Sequence, residues 1–316
     1  MKRGGVLRGF DRDSRLIAAA LVLLLVALVL PAVKLPRDTF DYMVVLDISQ
    51  SMNVEDYELD GQPASRLTFA RAAARRALQA LPCGSSVGWA AFTGYRTVLL
   101  LAPVEVCANY SDLLASLDKI DGRMRWSNAS EITKGVYWSV LSARATRGQP
   151  NVVLLTDGQE APPIDPMYPP RVLEELNDNP IRGWLIGTGS SAPSPIPRID
   201  EEGRRQGFWR EDEVVQTPQW LSKPSSTSGE HLSALHEEHL RTLAKQLHFD
   251  YARLDDLDSL STAMRDPRFT RRRATPTDLS GVPVALALLL LALRFGGEAW
   301  ERLALRDRKR RKLVTS

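Results

Sequence analysis

The stretch Tyr42-Met43-Val44-Val45-Leu46-Asp47-Ile48-Ser49-Gln50-Ser51-Met52 decides the predicted fold of this chain. Its apolar run from 42 to 46 is too short for a buried helix, and it predicts a strand covered on both faces, as in a parallel sheet. Asp47, Ser49 and Ser51 then alternate, so that three oxygen-bearing side chains leave the strand end on one side. Hard divalent cations prefer such ligands. The stretch therefore predicts a metal-binding loop at the carboxyl end of a central strand.

A second stretch, Asn151-Val152-Val153-Leu154-Leu155-Thr156-Asp157-Gly158, lies far downstream and is another apolar strand that ends in an acid and a glycine turn. Asp-x-Ser-x-Ser after an apolar strand, followed by this second acid, resembles the metal-ion-dependent adhesion site of von Willebrand factor type A (VWA) domains. In that family the second stretch supplies a distant carboxylate to the metal ion. The alternative is that Asp47 and Asp157 only cap helices or turns at the ends of their strands.

The resemblance also implies how side chains would share the ion. In VWA domains the serines of the first segment and a hydroxyl of a third segment touch the ion directly. Ser49 and Ser51 would therefore be direct ligands, and Asp47 and Asp157 would complete the shell. The expected cofactor is a divalent cation, Mg²⁺ first, with Ca²⁺ or Mn²⁺ as alternatives.

The third segment departs from the family pattern. VWA domains usually place a threonine just before a helix, and no threonine stands there in this chain. Ser130 aligns best with that position, Ser127 is the second candidate and Thr133 the third. A serine hydroxyl can be the same kind of ligand, but Ser130 could instead be a helix N-cap with no part in metal binding.

Strand, helix and strand patterns alternate along the chain, which predicts a mostly parallel sheet covered by helices on both faces. This is the VWA arrangement, so the predicted fold class is α/β, doubly wound and Rossmann-like, flanked by two transmembrane helices. The predicted organisation is a cytoplasmic N-terminus at 1–15, a transmembrane helix at 16–33, a VWA domain at 39–266 with an insertion at 190–229, a linker at 267–278, a transmembrane helix at 279–298 and a basic cytoplasmic tail at 299–316.

Two apolar runs indicate membrane spans. Residues 16–33 carry no charge in 18 positions, which is enough to cross a bilayer, although a cleaved signal peptide is the alternative. The run from 279 to 293 is shorter and could be a membrane-surface helix. Residues 35–275 carry 27 Lys or Arg against 32 Asp or Glu, whereas the two ends carry 14 against 6. Because basic ends stay in the cytoplasm, we expect a two-pass inner-membrane protein with its VWA domain in the periplasm.

The two cysteines of the chain, Cys83 and Cys107, flank two strand-like runs, 87–92 and 97–101. Folding these runs as a hairpin about Gly94 places the cysteines opposite each other at its base. An exported compartment is oxidising, so a disulfide is predicted there. Two unrelated thiols are the alternative.

The sequence shows no clear motif for catalysis, zinc binding or nucleic-acid binding. His236-Glu237-Glu238-His239 spaces its histidines by three residues instead of four, so it predicts a solvated face of a helix over 231–248 rather than a zinc site. A nucleophile–base pair, a phosphate-binding loop and a nucleic-acid module are not visible. We therefore expect a protein that is not an enzyme and does not bind nucleic acid.

The insertion at 190–229, placed after a Gly-Thr-Gly strand, is similar to that of bacterial membrane-anchored VWA proteins of the Bat aerotolerance and methanol dehydrogenase accessory (Mxa-type) kinds. The resemblance implies a metal-dependent docking module that binds an acidic residue of a partner protein. Its role would be an accessory or assembly factor for an exported enzyme complex, including metal insertion into a periplasmic quinoprotein (methanol) dehydrogenase. Further expected partners are other membrane VWA proteins and a MoxR-type ATPase at the basic tail. Alternatives are a Bat-type aerotolerance or envelope stress protein and a structural spacer with an unoccupied metal site.

Overall fold

The chain forms two compact units, and the second of them holds the predicted metal loop. The structure, a computed structural model, describes residues 12–162, 164, 172–176, 180–200, 202–213 and 231–296. Unit one comprises residues 1–36 and 274–316, and unit two comprises residues 37–273. The basic tail at 299–316 and most of the segment at 1–15 lie outside the described residues, so the predictions for them stay predictions.

A six-stranded sheet forms the centre of unit two. Its order is β6-β5-β4-β1-β2-β3, where the strands in chain order are β1 (Asp41–Asp47), β2 (Ser86–Thr93), β3 (Arg96–Glu105), β4 (Asn151–Thr156), β5 (Gly183–Gly187) and β6 (Asp250–Arg253). Neighbouring strands are parallel except for β2 and β3, which are antiparallel at one edge. The prediction of a mostly parallel α/β sheet is confirmed.

Helices cover both faces of this sheet. In the described part of unit two they are α1 (Arg66–Ala80), α2 (Tyr110–Leu117), α3 (Ile132–Ala145), α4 (Glu237–Leu247) and α5 (Ser259–Met264). Residues of α1, α2 and α5 belong to one buried apolar cluster, and residues of α3 and α4 belong to the other. The two clusters lie on opposite faces, as a doubly wound sheet requires.

Strand β1 contributes to both clusters. Tyr42, Val44 and Leu46 lie in the first, and Met43 and Val45 lie in the second. All five side chains are buried, because alternate residues of a strand point to opposite faces and both faces are covered. Each aliphatic side chain buried in this way contributes about 1.5–3 kcal/mol, which explains why the run has no polar residue.

The carboxyl ends of β1 and β4 lie at a switch point of the sheet. The chain leaves β1 towards α1 on the first face, and it leaves β4 towards Leu176, which packs in the second cluster. Connections that diverge in this way open a crevice at the strand ends, where ligands bind in open α/β sheets. The two predicted ligand segments therefore begin at the crevice that the topology creates.

The disulfide Cys83–Cys107 closes the base of the hairpin of β2 and β3. Its two Cα atoms are 5.2 Å apart and its cysteines are 24 residues apart in sequence. Thr93 pairs with Arg96 at the turn of this hairpin. The sequence therefore placed both the hairpin and its turn correctly.

We expect the double substitution Cys83→Ala/Cys107→Ala to lower the free energy of unfolding by about 3 kcal/mol, because the crosslink restricts a loop of 24 residues in the unfolded chain. Urea denaturation followed by circular dichroism measures the loss. Reduction of the wild type with dithiothreitol should lower the urea midpoint about as much as the double substitution does. An unchanged midpoint in both samples would show that the disulfide contributes little to stability.

The prediction of two transmembrane helices is not supported in unit one. The N-terminal helix, Arg12–Val29, has 18 residues and includes three charged ones. It ends before Pro31, which has no amide hydrogen to continue a helix, and the apolar run then enters the strand Val33–Thr39. The second helix is described over 281–296.

Among the described residues, the helices lack the combination of length and apolar character that a bilayer crossing requires. The predicted location, a two-pass inner-membrane protein with a periplasmic VWA domain, is therefore wrong.

Residues 267–278, predicted as a linker, are ordered in part as a strand. Arg271–Thr277 pairs with Val33–Thr39 in a separate two-stranded sheet. Arg271 Nη1 and Arg273 Nη2 lie 3.3 Å and 2.6 Å from the carboxylate oxygen Oδ2 of the buried Asp41. These ion pairs join residues far apart in sequence, so the local pattern could not reveal them.

The predicted helix over 231–248 begins later than expected. The structure has a short strand, Leu232–Ser233, paired with Ser194–Pro195, and helix α4 starts at Glu237. The insertion contains a second hairpin, Pro197–Ile199 with Arg205–Phe208, here called the insertion hairpin. Residues 214–229 of the insertion lie outside the described residues. The strand pairing brings Ser233 to the sheet end, where it takes part in the site.

Candidate metal centre

The first predicted ligand segment leaves the carboxyl end of β1. Asp47 Oδ1 accepts the amide hydrogen of Ser49 at 2.9 Å, and Asp47 Oδ2 accepts the hydroxyl of Thr156 at 2.7 Å. The Oγ atoms of Ser49 and Ser51 are 3.2 Å apart. All four side chains are buried. The alternating residues thus form one cluster of oxygen atoms, which Thr156 ties to the neighbouring strand β4.

Asp157 follows β4 and is also fully buried. Its Oδ1 accepts the amide of Gln159 at 3.0 Å. Its Oδ2 accepts two hydrogen bonds, from Arg66 Nη1 at 2.8 Å and from Ser233 Oγ at 2.9 Å. Asp157 therefore has partners in three separate segments, and its carboxylate is held firmly in place.

Arg66 is the residue of this site that the sequence analysis missed. Its side chain is completely buried at the start of α1, where Ser65 caps the helix by accepting the amide of Thr68. Nη1 also donates to Ser233 Oγ at 2.7 Å, and Nε and Nη2 donate to the carboxylate of Asp56 at 3.0 Å and 2.7 Å. The acidic residues ahead of the helix were the one sequence signal of a buried cationic partner; they are Glu55, Asp56, Glu58 and Asp60.

The third segment crosses the end of β1. Ser130 forms β-bridges with Gly94, which follows β2, and with Ala161, which follows β4. Since β2 and β4 are the two neighbours of β1, these bridges place Ser130 across the carboxyl end of β1. Gln50, between the two serines of the first segment, donates from Nε2 to Asn128 Oδ1 at 3.4 Å. The first and third segments therefore meet at this strand end.

The three candidate hydroxyls of this segment differ in their partners. Ser130 Oγ is buried and has no hydrogen-bond partner among the described residues. Ser127 Oγ accepts the amide of Ala129 at 3.1 Å, and Thr133 Oγ1 donates to Glu160 Oε1 at 2.7 Å. A buried hydroxyl without a partner costs about 1–3 kcal/mol, so it is retained where something else uses it. This difference favours Ser130 as the ligand over Ser127 and Thr133.

The site is short of positive charge. Burial raises the pKa of Asp47 well above its usual range, and the negative charge of Asp157 adds to the shift. Arg66 is the cation paired with both Asp56 and Asp157, so two carboxylates share one guanidinium. A divalent cation at the strand end would supply the missing charge and favour the ionised form of Asp47.

The donor set fits a hard divalent cation. Asp47, Ser49, Ser51, Ser130 and Asp157 offer oxygen atoms alone, which suits Mg²⁺, Ca²⁺ or Mn²⁺. Another group in the described chain brings three potential ligand residues together, Cys83, Glu105 and Cys107. Its two sulfur atoms are joined in the disulfide, so it has no thiolate to offer a metal.

We expect Ser130→Ala to raise the free energy of unfolding of the metal-free protein by about 1 kcal/mol, because it removes a buried hydroxyl without a partner. The same substitution should remove most of the stabilisation that Mg²⁺ gives the wild type by binding the folded state. Thermal denaturation with and without MgCl₂ measures both effects.

Ser127→Ala is the matched control for Ser130→Ala. It loses one hydrogen bond to a backbone amide, so it should be slightly less stable and keep the response to Mg²⁺. The opposite pattern, in which Ser127→Ala loses the stabilisation by Mg²⁺ and Ser130→Ala keeps it, would identify Ser127 as the third ligand.

The fold and the site together define a VWA domain. The sheet is mostly parallel, Asp-x-Ser-x-Ser follows its central strand, and a second aspartate follows the adjacent strand. The family model described as von Willebrand factor type A domain matches residues 42–159, which include all five predicted ligands. The chain therefore contains a VWA domain.

Relatives of the chain resemble it beyond these residues. A UPF0353 protein of Mycobacterium ulcerans is 28% identical over 247 residues, covering 76% of this chain and 70% of the relative. An aerotolerance-related membrane protein from Bacteroides fragilis superposes with a TM-score of 0.52 at 21% identity, over 71% of this chain and 96% of that one. BatB from Bacteroides thetaiotaomicron gives 0.50 at 20% identity, over 71% and 95%. These two structures share the fold of this chain.

Proposed function

We propose that this protein is a binding module that holds a divalent cation at Asp47, Ser49, Ser51, Ser130 and Asp157 and uses it to bind an acidic residue of a partner protein. The observation that carries the proposal is the buried hydroxyl of Ser130, which crosses the end of β1 and has no hydrogen-bond partner in the part of the chain that the structure describes. A cation supplies positive charge at this point when it is bound. Because few of its ligands are charged, a carboxylate from another protein suits the open coordination position.

Arg66 supports the same proposal. Its ion pair with Asp157 offsets part of the negative charge that the protein presents to the cation. A cation in such a site keeps more of its own positive charge and attracts an external carboxylate more strongly. The chemistry of the site is therefore that of binding, and the protein would act without catalysis.

In the cell we propose an accessory or assembly role of the Bat type. The similarity to BatB and to the aerotolerance-related protein from Bacteroides fragilis supports this role over metal insertion into a quinoprotein (methanol) dehydrogenase, which rests on sequence resemblance. Other VWA proteins and a MoxR-type ATPase are proposed partners, and the residues proposed to bind the ATPase, 299–316, lie outside the described part of the chain.

A structural spacer with an empty metal site is the second candidate. One observation favours it: both oxygen atoms of Asp157 already accept hydrogen bonds from the protein, including one from the guanidinium of Arg66. In that case Arg66 would supply the positive charge that a cation supplies in the first candidate. The two candidates differ in whether a cation is needed for any function.

Affinity capture from an extract of the host cells tests the first candidate. The immobilised full-length protein is offered the extract with MgCl₂ or with EDTA, and Asp47→Ala is treated in parallel. We expect EDTA and Asp47→Ala to lose the same partner. Asp38→Ala, which changes an exposed carboxylate outside the site, should retain it. Recovery of that partner by Asp47→Ala in EDTA would reject the metal-bridged mechanism.

A further inference from the structure

A polar cleft of about 890 Å³ opens between the third segment and the insertion hairpin. Arg125 and Trp126 line it from the third segment, and Arg198 and Trp209 line it from the insertion. The cleft is thus built in part by the described residues of the insertion at 190–229.

Gln50 connects this cleft to the candidate metal centre. It lines the cleft and stands in sequence between Ser49 and Ser51. Its Nε2 lies 3.4 Å from Asn128 Oδ1 and 3.5 Å from the carbonyl oxygen of Ile199, so it bridges the two walls. A peptide segment bound at the end of β1 would therefore extend into the cleft.

Within the described ranges, Arg125 has no ion pair with a carboxylate. Its Nε donates to Asn128 Oδ1 at 3.1 Å and its Nη2 to the carbonyl oxygen of Ile199 at 3.4 Å, both neutral acceptors. Nη1 is buried and has no acceptor in the described part of the chain. Burial also lowers the pKa of the Arg125 guanidinium. A guanidinium held in this way is stabilised by an anion that enters the cleft.

One other wall donor, Trp209 Nε1, also lacks an acceptor among the described residues. Arg198 lies over the ring of Trp209 at 4.9 Å, and its Nη1 pairs with Glu213 Oε1 at 2.8 Å. Asp200 is an acid on the wall, but its oxygen atoms already accept hydrogen bonds from Arg204 and Gln206. Among its described residues, the cleft therefore has two unused donors, Arg125 Nη1 and Trp209 Nε1, which suit a ligand that accepts hydrogen bonds.

Trp126 adds an apolar contact surface to this cleft. About half of its side chain is exposed, 47%. Exposed tryptophan beside arginine is typical of the residues that dominate protein interfaces. Because the cleft offers an apolar surface beside its arginine, its ligand is better described as a peptide than as a free inorganic anion.

We propose that the cleft binds a second acidic side chain of the partner, so that the recognised element is a short acidic peptide segment. One carboxylate would lie at the cation and a neighbouring one beside Arg125. This inference rests on the proposed function and explains how the site would select its partner. One carboxylate at a metal ion selects no sequence, whereas two negative charges at a fixed separation do.

Calorimetric titration of the full-length protein with the peptide acetyl-Glu-Glu-Glu-Glu-amide in MgCl₂ tests this proposal. We expect saturable binding to the wild type and none for the glutamine analogue. Arg125→Gln should weaken binding about tenfold, because it removes a charge-assisted contact. Arg198→Gln, at the other wall, is the second variant in case Arg125→Gln does not fold.

Arg123→Gln is the matched control for these variants. It removes the same charge two residues away, from a side chain that is 62% exposed and paired with Asp121. We expect its affinity for the tetraglutamate peptide to equal that of the wild type. If Arg123→Gln and Arg125→Gln weaken peptide binding equally, the effect comes from the net charge of the protein and the cleft proposal is overturned.

Asp47→Ala separates a failure of the cleft from a failure of the cation site. If it abolishes binding while Arg125→Gln and Arg198→Gln bind as the wild type does, the cation site stands and the cleft proposal is overturned. If the peptide binds equally in EDTA and Arg125→Gln still weakens it, the cleft stands and the metal-bridged function fails. Absence of saturable binding to the wild type overturns the cleft proposal.

Discussion

Arg66→Ala is expected to lower the free energy of unfolding by about 3–5 kcal/mol, because it leaves two buried carboxylates without their cationic partner. The guanidinium is completely buried and pairs with Asp56 at 2.7 Å and with Asp157 at 2.8 Å. It also donates to the hydroxyl of Ser233. Urea denaturation of the variant and the wild type, followed by circular dichroism, measures the difference.

Arg66→Met tests the physical reason for this loss. Methionine keeps much of the side-chain volume and lacks the charge, so the two carboxylates remain unpaired and stability should not return. Arg75→Ala is the control, because Arg75 forms an exposed ion pair with Asp118 and its loss should cost less than about 1 kcal/mol. Equal losses for Arg66→Ala and Arg75→Ala would contradict a structural role for the buried network.

Gly135→Val is expected to cost about 3 kcal/mol and to weaken metal binding as well, because the substitution overfills the contact between α3 and β2. A Cβ atom at residue 135 would lie 2.3 Å from Cε2 of Phe92. Phe92 is itself fully buried, so its ring has little space to move away. Helix α3 follows directly on Ser130, and a displaced helix would shift that hydroxyl. Urea denaturation and Mg²⁺ calorimetry measure the two effects.

Gly122→Ala is the control for this substitution. A Cβ atom there would find its nearest neighbours at 3.5 Å and beyond, which is ordinary contact distance. We expect wild-type stability and wild-type Mg²⁺ affinity. A stable Gly135→Val protein with normal affinity would show that α3 and β2 can separate without disturbing the third segment.

The sequence was sufficient for the parts of the fold that depend on local pattern. The apolar run at 42–46 identified a strand buried on both faces, since both alternate sets of its side chains needed cover. The polar residues Asp47, Ser49 and Ser51 that follow the run marked the end of the strand. In the structure they leave β1 at a switch point of the sheet. The hairpin around Gly94 was predictable for the same local reason.

The parts that the sequence could not reveal depend on distant partners. Arg66 is buried because Asp56, Asp157 and Ser233 surround it, and nothing within its own helix shows this. The strand Arg271–Thr277 exists because residues from the other end of the chain pair with it.

The error about membrane spans has a different cause. Hydropathy alone treated residues 16–33 as one segment, whereas the structure ends a helix at Val29 and begins a strand at Val33. Pro31 between them was the local signal that the run is divided. An apolar run identifies a helical span only where its backbone can stay helical throughout.

Calorimetric titration of the metal-free, full-length protein with MgCl₂ is the most direct measurement of the central proposal. The account predicts saturable binding of one ion to the wild type and no binding to Asp47→Ala, with circular dichroism showing that both proteins are folded. A folded wild type that binds neither Mg²⁺, Ca²⁺ nor Mn²⁺, or an Asp47→Ala variant that binds as the wild type does, would contradict it.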